Sequence, residues 1–171
     1  MDGTTSAGIL PIVVGVDGSP ESVVALRWAK KLAVPLGATI KAVSVWHADM
    51  FFGPFSISAS DGESIMREVL KDALAEAFGD DPPNGLIEVC RTGRPSEILL
   101  QEGASAQLLI VGSRGHGGFA GLLLGSVGSS CAAHASCPVL VVRPAVKGTA
   151  SPGETPVDAA KRPDGEQEDG S

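Results

Sequence analysis

The chain has 171 residues and a formal charge of −7, from 20 acidic and 13 basic side chains. That balance excludes a nonspecific grip on nucleic-acid backbones, which needs a basic surface. Apolar residues make up 43%, enough for a sizeable core in one domain, yet no apolar run approaches the roughly 20 residues of a membrane span.

The first residues carry no basic region followed by an apolar core, so no signal peptide is expected and the cytoplasm is the expected place. Three cysteines, Cys90, Cys131 and Cys137, form no CxxC pair and no Cys/His cluster. They read as reduced thiols, with Cys131 and Cys137 as small buried residues.

Residues 1–8 are small and polar and are expected to be flexible. Ile9 to Val16 is a continuous apolar run rich in β-branched residues, which suits a strand covered on both faces. Pro11 lacks an amide, so ladder pairing is expected from Ile12. Asp17 ends this strand. Its carboxylate either accepts bonds from a ligand or caps the turn at Gly18-Ser19.

Ser19-Pro20-Glu21 is a helix start, with Ser19 as N-cap, Pro20 in the first turn and Glu21 at the positive dipole end. Val24, Ala25, Trp28, Leu32 and Leu36 give an apolar face. Pro35 predicts an end or kink near Val34, and Gly37 a stop. Thr39 to Trp46 is the second strand, where the backbone of Val45 would reach a ligand edge. Trp46 and His47 read as core or rim residues, with stacking on a ligand as the alternative. Phe51, Phe52 and Phe55 fall in a long connection that reads equally as a lid, a partner surface or a cover for the sheet edge.

Asp61 to Phe78 repeats apolar residues at helical spacing. Asp80 to Gly85 is a turn cluster, Leu86 to Cys90 a short third strand, and Pro95 opens a third helix around Ile98, Leu99 and Leu100. Glu97 and Glu102 on that helix read as solvent-facing. Leu108 to Val111 is the fourth strand. Ser126 to Ala135 is the fourth helix, and Val139 to Arg143 the fifth strand. The alternation predicts βαβ units, a parallel sheet and helices on both faces, an α/β domain over residues 9–144. In residues 145–171, Glu154, Asp158, Asp164, Glu166, Glu168 and Asp169 outnumber Lys147, Lys161 and Arg162. With no aromatic residue, this acidic tail is expected to be disordered.

Between the fourth strand and fourth helix lies Gly112-Ser113-Arg114-Gly115-His116-Gly117-Gly118-Phe119-Ala120-Gly121-Leu122-Leu123-Leu124-Gly125-Ser126. Its glycines allow backbone to approach a ligand closely and to adopt positive φ. Its end is a helix N-terminus, whose free amides and dipole suit an anion. No G-x4-G-K-[ST] occurs, which excludes a P-loop. Gly115 to Ala120 resembles a dinucleotide fingerprint only weakly, since no helix opens there. No G-x-S-x-G elbow and no nucleophile–base pair are visible, and His116 is a lone loop histidine.

The spacing G-x2-G-x9-G-S at Gly112, Gly115, Gly125 and Ser126 resembles the ATP-binding loop of the universal stress protein family. The flanks agree: Ile12-Val13-Val14-Gly15-Val16-Asp17-Gly18-Ser19 opens the resemblance and Cys137-Pro138-Val139-Leu140-Val141-Val142-Arg143 closes it. The resemblance implies a three-layer α/β/α Rossmann-like fold of the adenine nucleotide α-hydrolase kind, with five parallel strands in the order 3-2-1-4-5. It implies that Gly15, Val16, Asp17 and Val45 bound adenine and ribose. Val111, Gly112, Arg114 and Gly115 would cover the ribose and α-phosphate side. Gly125, Ser126 and Val127 would hold the outer phosphates of ATP, with Mg²⁺ or Mn²⁺ carried by phosphate oxygens and not by the protein.

The resemblance also implies a homodimer through Val139, Leu140, Val141 and Val142, and a nucleotide-dependent regulator of an unidentified protein partner in the stress response, not an enzyme. Other expectations are a nucleotide-free dimeric scaffold and a slow ATP hydrolase. Many family members carry Ser or Thr where this chain has Gly128, a departure that would weaken the hold on a terminal phosphate and admit AMP or cyclic AMP.

Overall fold

A computed structural model describes residues 9–47, 59–115 and 124–144. The expected flexible N-terminus, the Phe51–Phe55 connection, His116 and the 145–171 tail lie outside the described residues. Five strands and four helices alternate: β1 (Ile12–Val16), α1 (Pro20–Leu36), β2 (Ile40–Trp46), α2 (Ala59–Phe78), β3 (Ile87–Thr92), α3 (Pro95–Gly103), β4 (Leu108–Gly112), α4 (Ser126–His134) and β5 (Val139–Val142). All pair in parallel in the order β3-β2-β1-β4-β5. The order reverses at β1, which lies between β2 and β4. That is the switch point where α/β sheets open a crevice.

Alternation along the buried strands supplies two cores. Ile12, Val14 and Val16 face α1 and α2, together with Ile40, Ala42 and Ile110. Val13, Val43, Leu109 and Val111 face the opposite way, toward Leu99 of α3 and Cys131 of α4. Pairing begins at Ile12, opposite Ile40 and Leu108, and Pro11 stays outside the ladder.

Ser19 caps α1 as its sequence suggests: its Oγ accepts from the Ser22 amide at 3.2 Å. The buried stripe of α1 differs from the expected one. Val23, Ala25, Leu26, Ala29 and Ala33 are buried, whereas Trp28 is 44% exposed and Leu36 40%. The three alanines let the helix settle close to the sheet. Trp28 lies at the rim, where the Lys31 ammonium stands 5.0 Å from its ring centre. The helix also runs through Pro35 to Leu36 instead of ending at Val34. In the last turn Pro35 removes a single bond, and the end is closed by Gly37 at φ 63°. The Gly37 amide donates to Val34 O and the Ala38 amide to Ala33 O, at 3.1 and 2.9 Å.

On α2, Gly62 has no room for a side chain. A Cβ there would lie 2.1 Å from the Trp46 indole. Trp46 is thus a buried core residue under α2, on the face of β2 away from Val43 and Val45. The third strand begins at Ile87 and extends to Thr92, two residues beyond its expected end, because β2 offers partners as far as Trp46.

Candidate functional site

The carboxyl ends of β1, β2 and β4, together with the N-termini of α3 and α4, enclose a cavity of about 250 Å³. Every residue singled out by the loop pattern and the strand ends lines it: Gly15, Val16, Asp17, Val45, Val111, Gly112, Arg114, Gly115, Gly125, Ser126 and Val127. Gly128, the position of the departure from the family pattern, lines it too, and so do residues not anticipated, namely Ser22, Val43, Pro95, Leu99 and Ser113.

Asp17 caps its turn, one of the two readings of its carboxylate. Its Oδ1 caps the turn, accepting from the Ser19 amide at 3.0 Å and the Ser19 hydroxyl at 2.5 Å. Gly18 in that turn has φ 83°, a conformation that favours glycine. The second oxygen, Oδ2, faces Gly115: a Cβ on Gly115 would lie 2.3 Å from it. One carboxylate therefore fixes the start of α1 and marks the wall of the cavity.

The loop glycines work by close approach. Gly112, Gly115, Gly125 and Gly128 all lack the positive φ expected of such a loop. At Gly112 a Cβ would strike Glu21 Cβ at 2.6 Å, so this glycine lets the first turn of α1 rest on the end of β4. At Gly15 it would meet Leu99 Cδ1 at 2.9 Å. Gly125 has ordinary contacts, with Ser113 O at 3.6 Å from its ideal Cβ; its bareness leaves the approach to α4 open.

Ser113 ties the loop together. Its amide donates to Val142 O at 2.7 Å, and its carbonyl accepts from the Gly125 amide at 2.8 Å. Gly125 is the N-cap of α4 and has no side-chain capping bond. The first-turn amides of Ser126, Val127 and Gly128 precede the first residue that can close an intrahelical bond. All three residues line the cavity, at the positive end of the helix dipole. Ser129 is the first to close one, its amide donating to Gly125 O at 2.9 Å. At Gly128 a Cβ would meet Leu124 Cδ1 at 2.9 Å, so the Leu124 side chain stands beside the backbone where many family members carry a hydroxyl.

The opposite wall is apolar. Val43 and Val45 come from β2, Pro95 and Leu99 from α3, and Val111 from β4. Asp17 is the one carboxylate and Arg114 the one cation among the described lining residues. No group of three or more His, Cys, Asp or Glu side chains able to hold a metal occurs among the described residues. Behind the site, burial pushes the Cys131 thiol from 9.0 up to about 11, with neighbouring Cys137 acting in the same direction. A buried thiol raised in this way is a poor nucleophile.

Glu102 departs from its expected place in solvent. Its side chain is 13% exposed and bridges Lys41 of β2 and Arg91 of β3, with Arg91 Nε 3.4 Å from its Oε1. Sequence spacing could not show this, because the partners lie on two strands that precede the helix. Glu97 is exposed, as expected, beside Arg94.

No helix among the described residues is long and apolar enough to cross a membrane. The model of the universal stress protein family matches residues 9–143. A universal stress protein of Mycolicibacterium smegmatis is 39% identical over 138 residues, covering 79% of this chain and 46% of that protein. The chain thus spans about half the length of the curated relatives it matches. Among solved structures, a universal stress protein in complex with cAMP matches with a TM-score of 0.60 at 25% identity, covering 78% of this chain and 97% of that one. The universal stress protein UspA from Lactobacillus plantarum matches with a TM-score of 0.59 at 23% identity, over 79% and 98%. With the family model matched along nearly the whole αβ body, the chain belongs to the universal stress protein family.

Proposed function

We propose that the crevice binds an adenine nucleotide and that its occupancy governs a partner protein. The observation that carries this reading is the convergence of the loop residues, Asp17 and Val45 on one cavity beside the α4 N-terminus. The apolar wall of Val43, Val45, Pro95 and Leu99 suits a base, and Asp17 Oδ2 suits ribose hydroxyls or an amino group. Gly125, Ser126 and Val127 suit phosphate oxygens. The cAMP held by a relative at 25% identity supports the ligand class.

ATP is the family-type ligand for the G-x2-G-x9-G-S loop, and AMP or cyclic AMP needs fewer phosphate contacts near Gly128. Mg²⁺ or Mn²⁺ fits as a companion of the phosphates, since the described residues offer no ligand cluster for it. Asp17 lines the cavity with one oxygen already committed to Ser19. It is the one carboxylate among the described lining residues, which favours a binding role over hydrolysis.

A dimer completes the proposal. The edge strand β5 is only half-buried at Val139, Leu140 and Val141, and an apolar edge is a natural place for a second copy. The cytoplasm remains the proposed compartment. Native mass spectrometry of the purified chain tests both parts. Co-purified or added ATP, AMP or cyclic AMP on a two-chain species supports the reading. A bare monomer that takes up none of the three refutes it.

A further inference from the structure

We infer that Glu102 is a positioning residue for the base wall of the crevice, holding α3 in place through one carboxylate shared between two strands. The inference rests on the proposed nucleotide site and names what sets its width.

Helix α3 buries few of its own side chains completely. Among its nine residues only Leu99 and Gly103 are buried. Its N-cap Arg94 makes no side-chain capping bond. Yet α3 supplies Pro95 and Leu99 to the cavity. Leu99 rests on Gly15, where even a methyl group would stand 2.9 Å from Leu99 Cδ1. A small shift of α3 therefore moves the wall directly over the floor of the site.

Glu102 sits at the opposite end of the helix. Lys41, Val43 and Val45 alternate onto one face of β2, and Arg91 pairs with Val45 from β3. Glu102 reaches Lys41 with one oxygen and Arg91 with the other. The Lys41 side chain is 25% exposed, so this pair is only partly screened by water. The same β2 face that carries Val43 and Val45 into the cavity thus carries the lysine that fixes α3. Clamp and wall are joined by one helix and one strand. The exposed pair Arg94–Glu97 on the same helix lacks this geometry, because both of its members lie within α3 or its cap.

The test uses the full chain, with Glu102→Gln as the variant and Glu97→Gln as the control. Lys41→Met, which removes the other half of the clamp, serves if Glu102→Gln folds poorly. Calorimetry reads the Kd for AMP and GMP, and hydrogen exchange reads α3 and α4 separately. Glu102→Gln is expected to weaken AMP about threefold to thirtyfold, the range for residues that act on a site without touching its ligand. The preference for AMP over GMP should fall, because a looser wall discriminates less. Amides of α3 should exchange faster while those of α4 keep their protection. Glu97→Gln should change nothing. Wild-type AMP affinity together with wild-type α3 exchange in Glu102→Gln overturns the inference. So does a uniform rise in exchange with the AMP/GMP preference intact. Absence of ATP, AMP and cyclic AMP binding by the wild-type chain would refute the functional reading, and unchanged α3 exchange would then still refute the clamp by itself.

Discussion

At the α4 end of the crevice, the groups offered to a ligand come from consecutive residues. They are the first-turn amides after Gly125 and the hydroxyl of Ser126, held by a single carbonyl, that of Ser113. At the α3 end they are side chains from β2, α3 and β4, packed over Gly15 and anchored by a carboxylate at the far end of α3. The proposed phosphate end is thus a local motif. The proposed base end is a tertiary construction. A local motif survives changes in packing so long as its backbone path is kept. A wall built from three elements depends on contacts made far from the ligand.

That contrast can be broken first at Leu99, which is 4% exposed. Leu99→Ala opens a cavity over Gly15 and is expected to cost about 2–5 kcal/mol of stability. Urea denaturation measures the loss. AMP binding should fall as well, because the base wall loses its main apolar contact. A variant with native stability would show that α3 is not packed as described.

The support of the phosphate end can be probed by pH. Cys131, on α4, is buried against the sheet, and its thiol is raised from 9.0 to about 11. The folded chain therefore holds this proton more tightly than the unfolded chain. The stabilisation is complete below pH 9 and is lost as pH rises toward 11. The shift corresponds to about 2–3 kcal/mol. Burial raises Cys137 and Cys90 in the same direction. Chemical denaturation at pH 8, 9, 10 and 11 should show a decline that is smaller in Cys131→Ala. An equal decline in both proteins would remove Cys131 as its cause. The α3 clamp, by contrast, should respond to added salt at neutral pH.

Gly115→Ala acts where the two ends meet. Its methyl group would lie 2.3 Å from Asp17 Oδ2, and overpacking of this kind costs about 1–3 kcal/mol. Nucleotide affinity is expected to fall about tenfold or more, with the fold retained, as read by calorimetry. The smallest effect belongs to Ser126→Ala. It removes one hydroxyl and leaves the α4 amides in place, so a loss of about 0.5–1.5 kcal/mol in nucleotide binding is expected. A complete loss of binding in Ser126→Ala would mean that the side chain, and not the helix terminus, holds the anion.

The same division decides what the sequence discloses. The strands, the Ser19 cap and the α4 start are written in neighbouring residues, and the structure places them as read, with β3 displaced the most at its ends. Gly112, Gly115, Gly125 and Ser126 of the G-x2-G-x9-G-S spacing are likewise local, and all four line the cavity. The stripe of α1 misleads because Trp28 and Leu36 have the right period, yet the small Ala25, Ala29 and Ala33 win the sheet by letting the backbones approach. Pro35 misleads because a lost amide matters less in a final turn closed by Gly37. Glu102 reads as solvated because its partners, Lys41 and Arg91, are far away in sequence. Pro95 and Leu99 leave no motif at all, since their place in the wall arises only when α3 returns across the sheet. Gly112, Gly115 and Gly128 are legible as glycines but not in their close packing against Glu21, Asp17 and Leu124, which involves no positive φ.

The central claim is that Asp17, the glycine loop and the α4 N-terminus form one adenine-nucleotide site. Calorimetric titration of the wild-type chain and Gly115→Ala with ATP, AMP and cyclic AMP tests it most directly. The account predicts saturable binding of at least one of the three by the wild type, competed by adenosine and weakened about tenfold or more in Gly115→Ala. No binding of any of the three by a folded wild-type chain, or equal binding by the two proteins, would contradict it.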